Sequence, residues 1–396
     1  MRDYWEEPET ETKSKKINAK KIILSIAISI LVVAIIVVVA LYITNNEFRN
    51  WIDVEILRKE ISQDKVTTIE LDEGESSSIY AFNKYIGILS KNKLSLYSST
   101  GQEEANLEIQ ITNPLFDSAN RFLVIGESNG QKFYVIEDKE VAWNSEIEGN
   151  ISKVYVNKNG YVAVIISGTS HKSVIQVFDP SGTALFKKYL PSTVAVDVSI
   201  SNDNKYLAIA EIDTSGTVIQ SNIRIISIEM TKTNPSNSEV NNYKSKQNKL
   251  IVNIDYQDRD RIVCMYTDGI NIIENDQESV IFENADKKIT AQSIDLENYF
   301  VTVEEESSGI FSANSIINII DVESRNTQNY TVDTSIKQIY TKGNIIALNL
   351  GTEVEFINTG GWLVKRYIAN QEVTNVTVSD NIAGIVYRDK VEIINL

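Results

Sequence analysis

The chain is short of the residues that carry most protein chemistry. Its 396 residues include one histidine, His171, and one cysteine, Cys264. A single imidazole excludes His-rich zinc sites and paired-histidine mechanisms. A Ser-His-Asp triad would have to use His171, which lies in SGTSHKS, and no GxSxG turn precedes a helical pattern. One cysteine excludes an intramolecular disulfide. Within RIVCMY it reads as a small buried hydrophobe and not a reactive thiol. Walker loops, GxGxxG and CxxC are absent as well. No cofactor and no metal are expected, and enzymatic activity is the less favoured expectation.

Positive charge is also scarce, and unevenly placed. Of 38 basic and 54 acidic residues, 6 and 5 fall in the first 21, leaving 32 and 49 beyond the apolar run described next, a net of −17 there. Such a surface repels phosphate, so nucleic acid is excluded as a partner. It suits solubility, repulsion from anionic lipid, and cationic or basic partners.

One long hydrophobic run stands out: Ile22 to Ile43, IILSIAISILVVAIIVVVALYI, 22 residues of which 16 are Ile, Leu or Val. At about 1.5 Å per residue a helix of that length reaches roughly 33 Å, against a hydrocarbon core of about 30 Å. It exceeds a signal-peptide core, and no small-x-small cleavage site follows. A transmembrane helix is expected, with the bilayer as its partner. Lys13, Lys15, Lys16, Lys20 and Lys21 precede it, whereas Asn45, Asn46 and Glu47 follow. Positive charge stays inside, so the expected topology is a single pass with residues 1–21 as a cytoplasmic tail and everything after the span outside. Residues 44–65 (through WIDVEILRKEI) form a juxtamembrane linker or helix. An external domain without disulfides, rich in Ile, Asn and Lys, fits a Gram-positive cell envelope.

From residue 66 the pattern becomes short β-rich runs broken by Asn, Asp, Gly and Ser. One phrase recurs eight times, a turn residue followed by a strand: NKYIGIL, NRFLVIG, NGYVAVI, NKYLAIA, DRIVCMY, ENYFVTV, GNIIALN and DNIAGIV. The intervals from Tyr85 are 37, 39, 45, 55, 38, 45 and 37 residues, the length of a four-stranded propeller blade. An alternating strand precedes each phrase and a third strand follows it. The last unit reaches only its third strand, VEIINL, while VTTIEL (66–71) stands unassigned ahead of the first unit. Pairing VTTIEL into the last blade closes the ring and hides two sheet edges. The expected fold is therefore all-β: an eight-bladed β-propeller over 66–396, with seven blades as the fallback. The fourth unit is the longest, and Met230 to Lys249 reads as a long outer loop around a poor fourth strand.

Binding residues concentrate on loops held by a rigid scaffold. Three loops between second and third strands are long: Ser167 to Lys172, Asp213 to Ser221, and Glu304 to Ser315. They present His171, Asp213, Glu304, Glu305, Glu306 and Phe311 as the candidate binding sector. Asp255, Asp258 and Asp260 offer hard oxygen ligands but match no EF-hand loop, so solvated charge is the reading there. Trp143 and Trp362 read as outer packing residues.

The repeats resemble the propeller superfamily that includes WD-repeat, quinoprotein-type and surface-layer propellers, over about 66–396. No unit has the Gly-His and Trp-Asp pair of WD repeats or the Trp docking motif of quinoprotein dehydrogenases. The layout, a Lys-rich tail, one span, WIDVEILRKEI and a propeller, looks like uncharacterised clostridial membrane proteins, a family with no assigned activity. Taken together, the expected function is a membrane-anchored extracytoplasmic scaffold that docks an envelope protein or cell-wall polymer. The alternative is a carbohydrate-active enzyme using carboxylates in the propeller pocket.

Overall fold

The computed structural model describes residues 19–44, 48, 52, 66–72, 77–245, 249–257, 261–284, 287–307, 313–379 and 381–396. The chain divides into two units, 1–58 and 59–396. The first contains a helix, α1 (Ala19–Thr44). Side chains described within it, Ile28 to Ile43, are mostly exposed, with Ile30 at 65 % and Ile43 at 70 %. Among the described residues no helix is long and apolar enough to cross a membrane.

The second unit is an eight-bladed β-propeller: eight sheets of four strands, each strand hydrogen-bonded to its sequence neighbour within its blade. Blades 1 to 7 cover 77–108, 114–146, 150–190, 193–244, 251–283, 289–332 and 338–368, and blade 8 covers 375–395. Blade 8 supplies only three consecutive strands. Its fourth is the N-terminal strand Thr67–Glu70, which runs antiparallel to Lys390–Asn395 in the register Thr67↔Ile393, Thr68↔Glu392, Ile69↔Val391 and Glu70↔Lys390. The expected closure and the count of eight both hold.

The recurrent phrase has a backbone cause. Its first or second residue sits in the turn between first and second strands, where the chain reverses through the left-handed region. Asn83 (φ 51), Asn120 (φ 53), Asn204 (φ 61) and Asn298 (φ 60) adopt it, as does Gly160 (φ 84). Asn tolerates this region better than other non-glycine residues because its short amide bonds locally.

The core lies between blades. Phe122, Val124 and Phe133 of blade 2 pack with Val154, Val164 and Ile166 of blade 3. Equivalent clusters join blades 3 to 4 and 4 to 5. At the closure, Ala81, Ile86 and Ile88 of blade 1 meet Ile382, Val391 and Ile393 of blade 8, with Ile69 packed against them. Each buried side chain of this size stabilises by about 1.5–3 kcal/mol, so the ring is held at its seams.

Two parts of the expected picture change. Blade 4 does not leave a bare loop: Ser227 caps a short helix, α2 (Ile228–Thr233), its hydroxyl accepting from the Met230 N–H. A 3-10 turn (Pro235–Asn237) then leads into a regular fourth strand, Glu239–Lys244. Polar runs with local capping residues fold on themselves without an apolar stripe. In blade 6 the second and third strands are long, Tyr299–Ser307 and Ala313–Asp321, so Glu304, Glu305 and Glu306 lie in a strand and not a loop. Trp143 packs edge-on to Phe133 at 5.4 Å as an outer packing residue, whereas Trp362 is 49 % exposed.

Candidate functional site

The first strand of each blade is innermost. Its register against the second strand sets one equivalent position per blade, and six of the eight line the cavities described below. In blades 1 to 8 these are Tyr80, Asp117, Tyr155, Ser199, Asp255, Ser293, Tyr340 and Thr377. Their partners on the second strands are Gly87, Val124, Ala163, Ala208, Val263, Val301, Ala347 and Gly384. All eight of these positions are polar and all eight partners are small or β-branched. A Gly, Ala or Val of the recurrent phrase thus pairs with each polar residue of the innermost strand.

These polar residues perform a structural task first. The innermost strand of a blade has one edge without a strand partner, and its N–H groups need acceptors. Side chains of the preceding blade supply them. Val156 N–H donates to Asp117 Oδ2 at 2.7 Å, Tyr256 N–H to Ser199 Oγ at 3.0 Å, and Ala81 N–H to Thr377 Oγ1 at 2.8 Å across the closure. Asp197, two residues before Ser199, likewise accepts from Ile254 N–H at 2.9 Å.

Two adjoining cavities of about 590 and 280 Å³ occupy the channel. Phe116, Asp117, Asp295 and Lys342 line both, and Tyr80 stacks on Phe116. The Lys342 ammonium reaches across from blade 7 and donates to the Ser118 carbonyl of blade 2. The larger cavity is also bordered by Asn120, Lys158, Asn202, Gln257, Glu297 and Gly343. These lie at the turns joining first to second strands, so this cavity opens toward that rim.

Electrostatics inside the channel are unbalanced. Asp197 is paired with Lys153 at 2.5 Å and is nearly fully buried. Burial pushes its carboxyl up, and Lys153 opposes the rise. Burial raises Asp117 too, against Lys342 and the Val156 N–H. Asp255 has no ion-pair partner among the described residues. Burial, then the charges of Asp295, Asp197 and Asp117, push its carboxyl up to about 7, with Lys342 the opposing cation. Asp295, an acid of the adjacent blade, thus raises the cost of ionising Asp255.

The sector expected from sequence lies at the opposite rim, where second-to-third hairpins gather. His171 tilts against Tyr189 at 4.9 Å, and its Nδ1 is 3.2 Å from Ser170 Oγ. Asp213 accepts from the Ser215 hydroxyl and N–H, which hold its carboxyl below the usual range. Glu304 pairs with Lys287 at 2.7 Å and Glu305 with Lys288 at 3.0 Å, while Glu306 is exposed. Among the described residues no bond joins His171, Asp213 and the glutamates to one another. Phe311 lies outside the described residues, as do Asp258 and Asp260. Among the described residues no group of three or more His, Cys, Asp or Glu could hold a metal ion.

Of these residues the sequence reading named only Asp255 and took it as solvated charge, whereas the structure sets it half-buried in the channel wall. Each of the eight sits in the first strand directly across from one position of the recurrent phrase, so aligning the units on that position lists them.

Solved propellers share this fold. BamB from Moraxella catarrhalis is 14 % identical, with 83 % of this chain and 96 % of that one covered at a TM-score of 0.47. Apo AztD from Citrobacter koseri is 12 % identical, with 79 % and 91 % covered at 0.50. The dihydro-heme d1 dehydrogenase NirN, in complex with DHE, is 9 % identical, with 83 % and 75 % covered at 0.51. At such identity the likeness shows the fold alone. No curated protein matches the sequence. Residues 57–396, the propeller and its lead-in, match a family of unknown function, DUF5711, and the chain belongs to that family.

Proposed function

We propose that this protein is a membrane-anchored, extracytoplasmic scaffold whose propeller docks an envelope protein or cell-wall polymer. The observation that carries the reading is a ring closed by its own N-terminal strand, rigid at every described seam, joined in sequence to a helix whose Ile, Leu and Val side chains are exposed. Exposed apolar surface of that extent is what a bilayer would cover. The Lys-rich segment before it, against Asn45, Asn46 and Glu47 directly after it, favours an inside N-terminus. The hairpin rim with His171, Asp213 and Glu304 to Glu306, together with Phe311, is the proposed docking sector.

Photo-crosslinking in intact cells tests docking, with the reactive residue at Phe311 and a control at Lys158 on the opposite rim. A discrete protein adduct at Phe311 alone supports docking. Adducts at both sites overturn it for this sector. No protein adduct at either overturns the protein partner and turns attention to polymer or small-molecule binding, which raises the enzyme reading. Protease shaving of intact cells tests topology: loss of the propeller with retention of the tail is expected.

One observation favours the carbohydrate-active alternative. Asp255, held near 7 beside Asp295 in a cavity with Tyr155, is the kind of carboxyl that can serve as a general acid. Hydrolysis of envelope glycans by the full-length protein, lost in Asp255→Asn, would establish it.

A further inference from the structure

Three consecutive blades place Tyr155, Ser199 and Asp255 at equivalent points of the channel wall, and the three side chains form one chain. The Tyr155 hydroxyl is 3.0 Å from Ser199 Oγ, and Ser199 Oγ is 3.4 Å from Asp255 Oδ1. Tyr155 has a second acceptor, the Ile200 carbonyl at 3.4 Å. Ser199 is fully buried and always accepts the Tyr256 N–H at 3.0 Å.

A hydroxyl has one proton to give and two acceptor positions. With one acceptor position of Ser199 fixed by Tyr256, its remaining acceptor and its proton point to Tyr155 and Asp255, in one order or the other. With Asp255 ionised, Ser199 donates to the carboxylate and accepts from Tyr155. With Asp255 protonated, the carboxylic O–H donates to Ser199, Ser199 donates to Tyr155, and Tyr155 turns its proton to the Ile200 carbonyl. Both arrangements use every donor and leave no acceptor of Ser199 empty.

We propose that Asp255 is a proton-binding site whose loading reverses this chain, carrying one proton's arrival in the channel across the seams between blades 5, 4 and 3. The proton comes from water at the channel mouth and lands on the carboxylate. No covalent bond other than that O–H forms, and the hydroxyls only rotate.

The surroundings set where the site loads. Facing it are Asp117 from blade 2, Lys153 from blade 3, Asp197 from blade 4, Asp295 from blade 6 and Lys342 from blade 7, with Tyr80 and Tyr340 on the far wall. The carboxylates favour loading and Lys342 opposes it, while Lys153 is engaged by Asp197. The balance puts the midpoint near neutrality. The device does not depend on what the propeller docks.

The test is pH-difference infrared spectroscopy on the full-length protein in detergent, with labelled tyrosine. On acidification a protonated-carboxyl band and a tyrosine ring shift are expected to rise with one shared midpoint. Asp255→Asn removes both. Ser199→Ala and Tyr155→Phe keep the carboxyl band and remove the coupled ring shift. Asp295→Asn lowers the midpoint by about one unit, a tenfold change in proton concentration. The proposal fails if the carboxyl band survives Asp255→Asn or if the ring shift survives Ser199→Ala. It also fails if wild type shows no carboxyl band near neutrality. Should Asp255→Asn not fold, an unmoved midpoint in Asp295→Asn overturns it equally.

Discussion

The hairpin rim and the channel of the propeller both carry acids and use them differently. At the hairpin rim Glu304 and Glu305 lie on a strand beside Lys287 and Lys288, which are 42 % and 66 % exposed. Water reaches the lysines freely and Glu304 and Glu305 in part, at 17 % and 20 % exposure, and pairs open to solvent in this way contribute about 0–1 kcal/mol. In the channel Asp197 is 3 % exposed and held by one lysine, and Asp255 has no ion-pair partner among the described residues. There a carboxyl is costly to ionise and responds to its neighbours. Abundance of carboxylates marks neither place as special. Their access to water does.

The sharpest way to break this contrast is to remove one cation from each place. Lys153→Met leaves Asp197 buried and unpaired, and a loss of about 3 kcal/mol is expected in denaturant unfolding at pH 8. Lys287→Met, the matching change at the hairpin rim, is returned to below as the smallest effect.

Next comes Asp255→Asn, expected to stabilise. The folded carboxyl sits near 7, above its unfolded value, so the folded state holds its proton more tightly. This group's contribution is therefore best in acid and is lost as pH rises from about 4 through about 7, then stays constant. The asparagine variant should gain on wild type across that window, reaching about 2 kcal/mol by pH 8 once channel solvent is allowed for. Unfolding midpoints measured from pH 5 to 8 check both the sign and the window. Asp213→Asn, at the hairpin rim, should leave the shape of that profile unchanged.

Smaller again is Thr377→Val, which strands the Ala81 N–H at the closing seam and should cost about 1 kcal/mol. Faster exchange of the Ala81 amide would locate the loss. Lys287→Met should fall below about 1 kcal/mol and vanish at high salt. An equal effect of the two lysine substitutions would remove the contrast between rim and channel.

The fold was readable because its unit is short and local. An Asn or Gly in left-handed backbone, a hairpin and a small residue fit within one phrase, and eight copies give the ring. VTTIEL could be placed in the last blade because an unassigned strand and a three-stranded blade complete each other. The channel was harder to read for a physical reason. In a strand of six residues such as Ile251–Tyr256, two-residue alternation separates the faces but does not say which one meets the channel. Only the pairing Asp255↔Val263 decides it. Glu304 to Glu306 misled in the opposite way: three acids in a row look like a loop, yet strand pairing with Asn314 and its neighbours continues straight through them.

The closing strand has a consequence for how the protein is made. Thr67 pairs with Ile393, so the first strand of the propeller finds its partner roughly 330 residues later. Until Lys390–Asn395 exists, blades 1 to 7 can form hairpin by hairpin, but the ring cannot lock. Ile69 and the inner faces of blades 1 and 8 then have nothing to pack against. A nascent chain spends that interval as an open arc with two sticky ends. Its window for misassociation is set by synthesis time and not by the stability of any one blade.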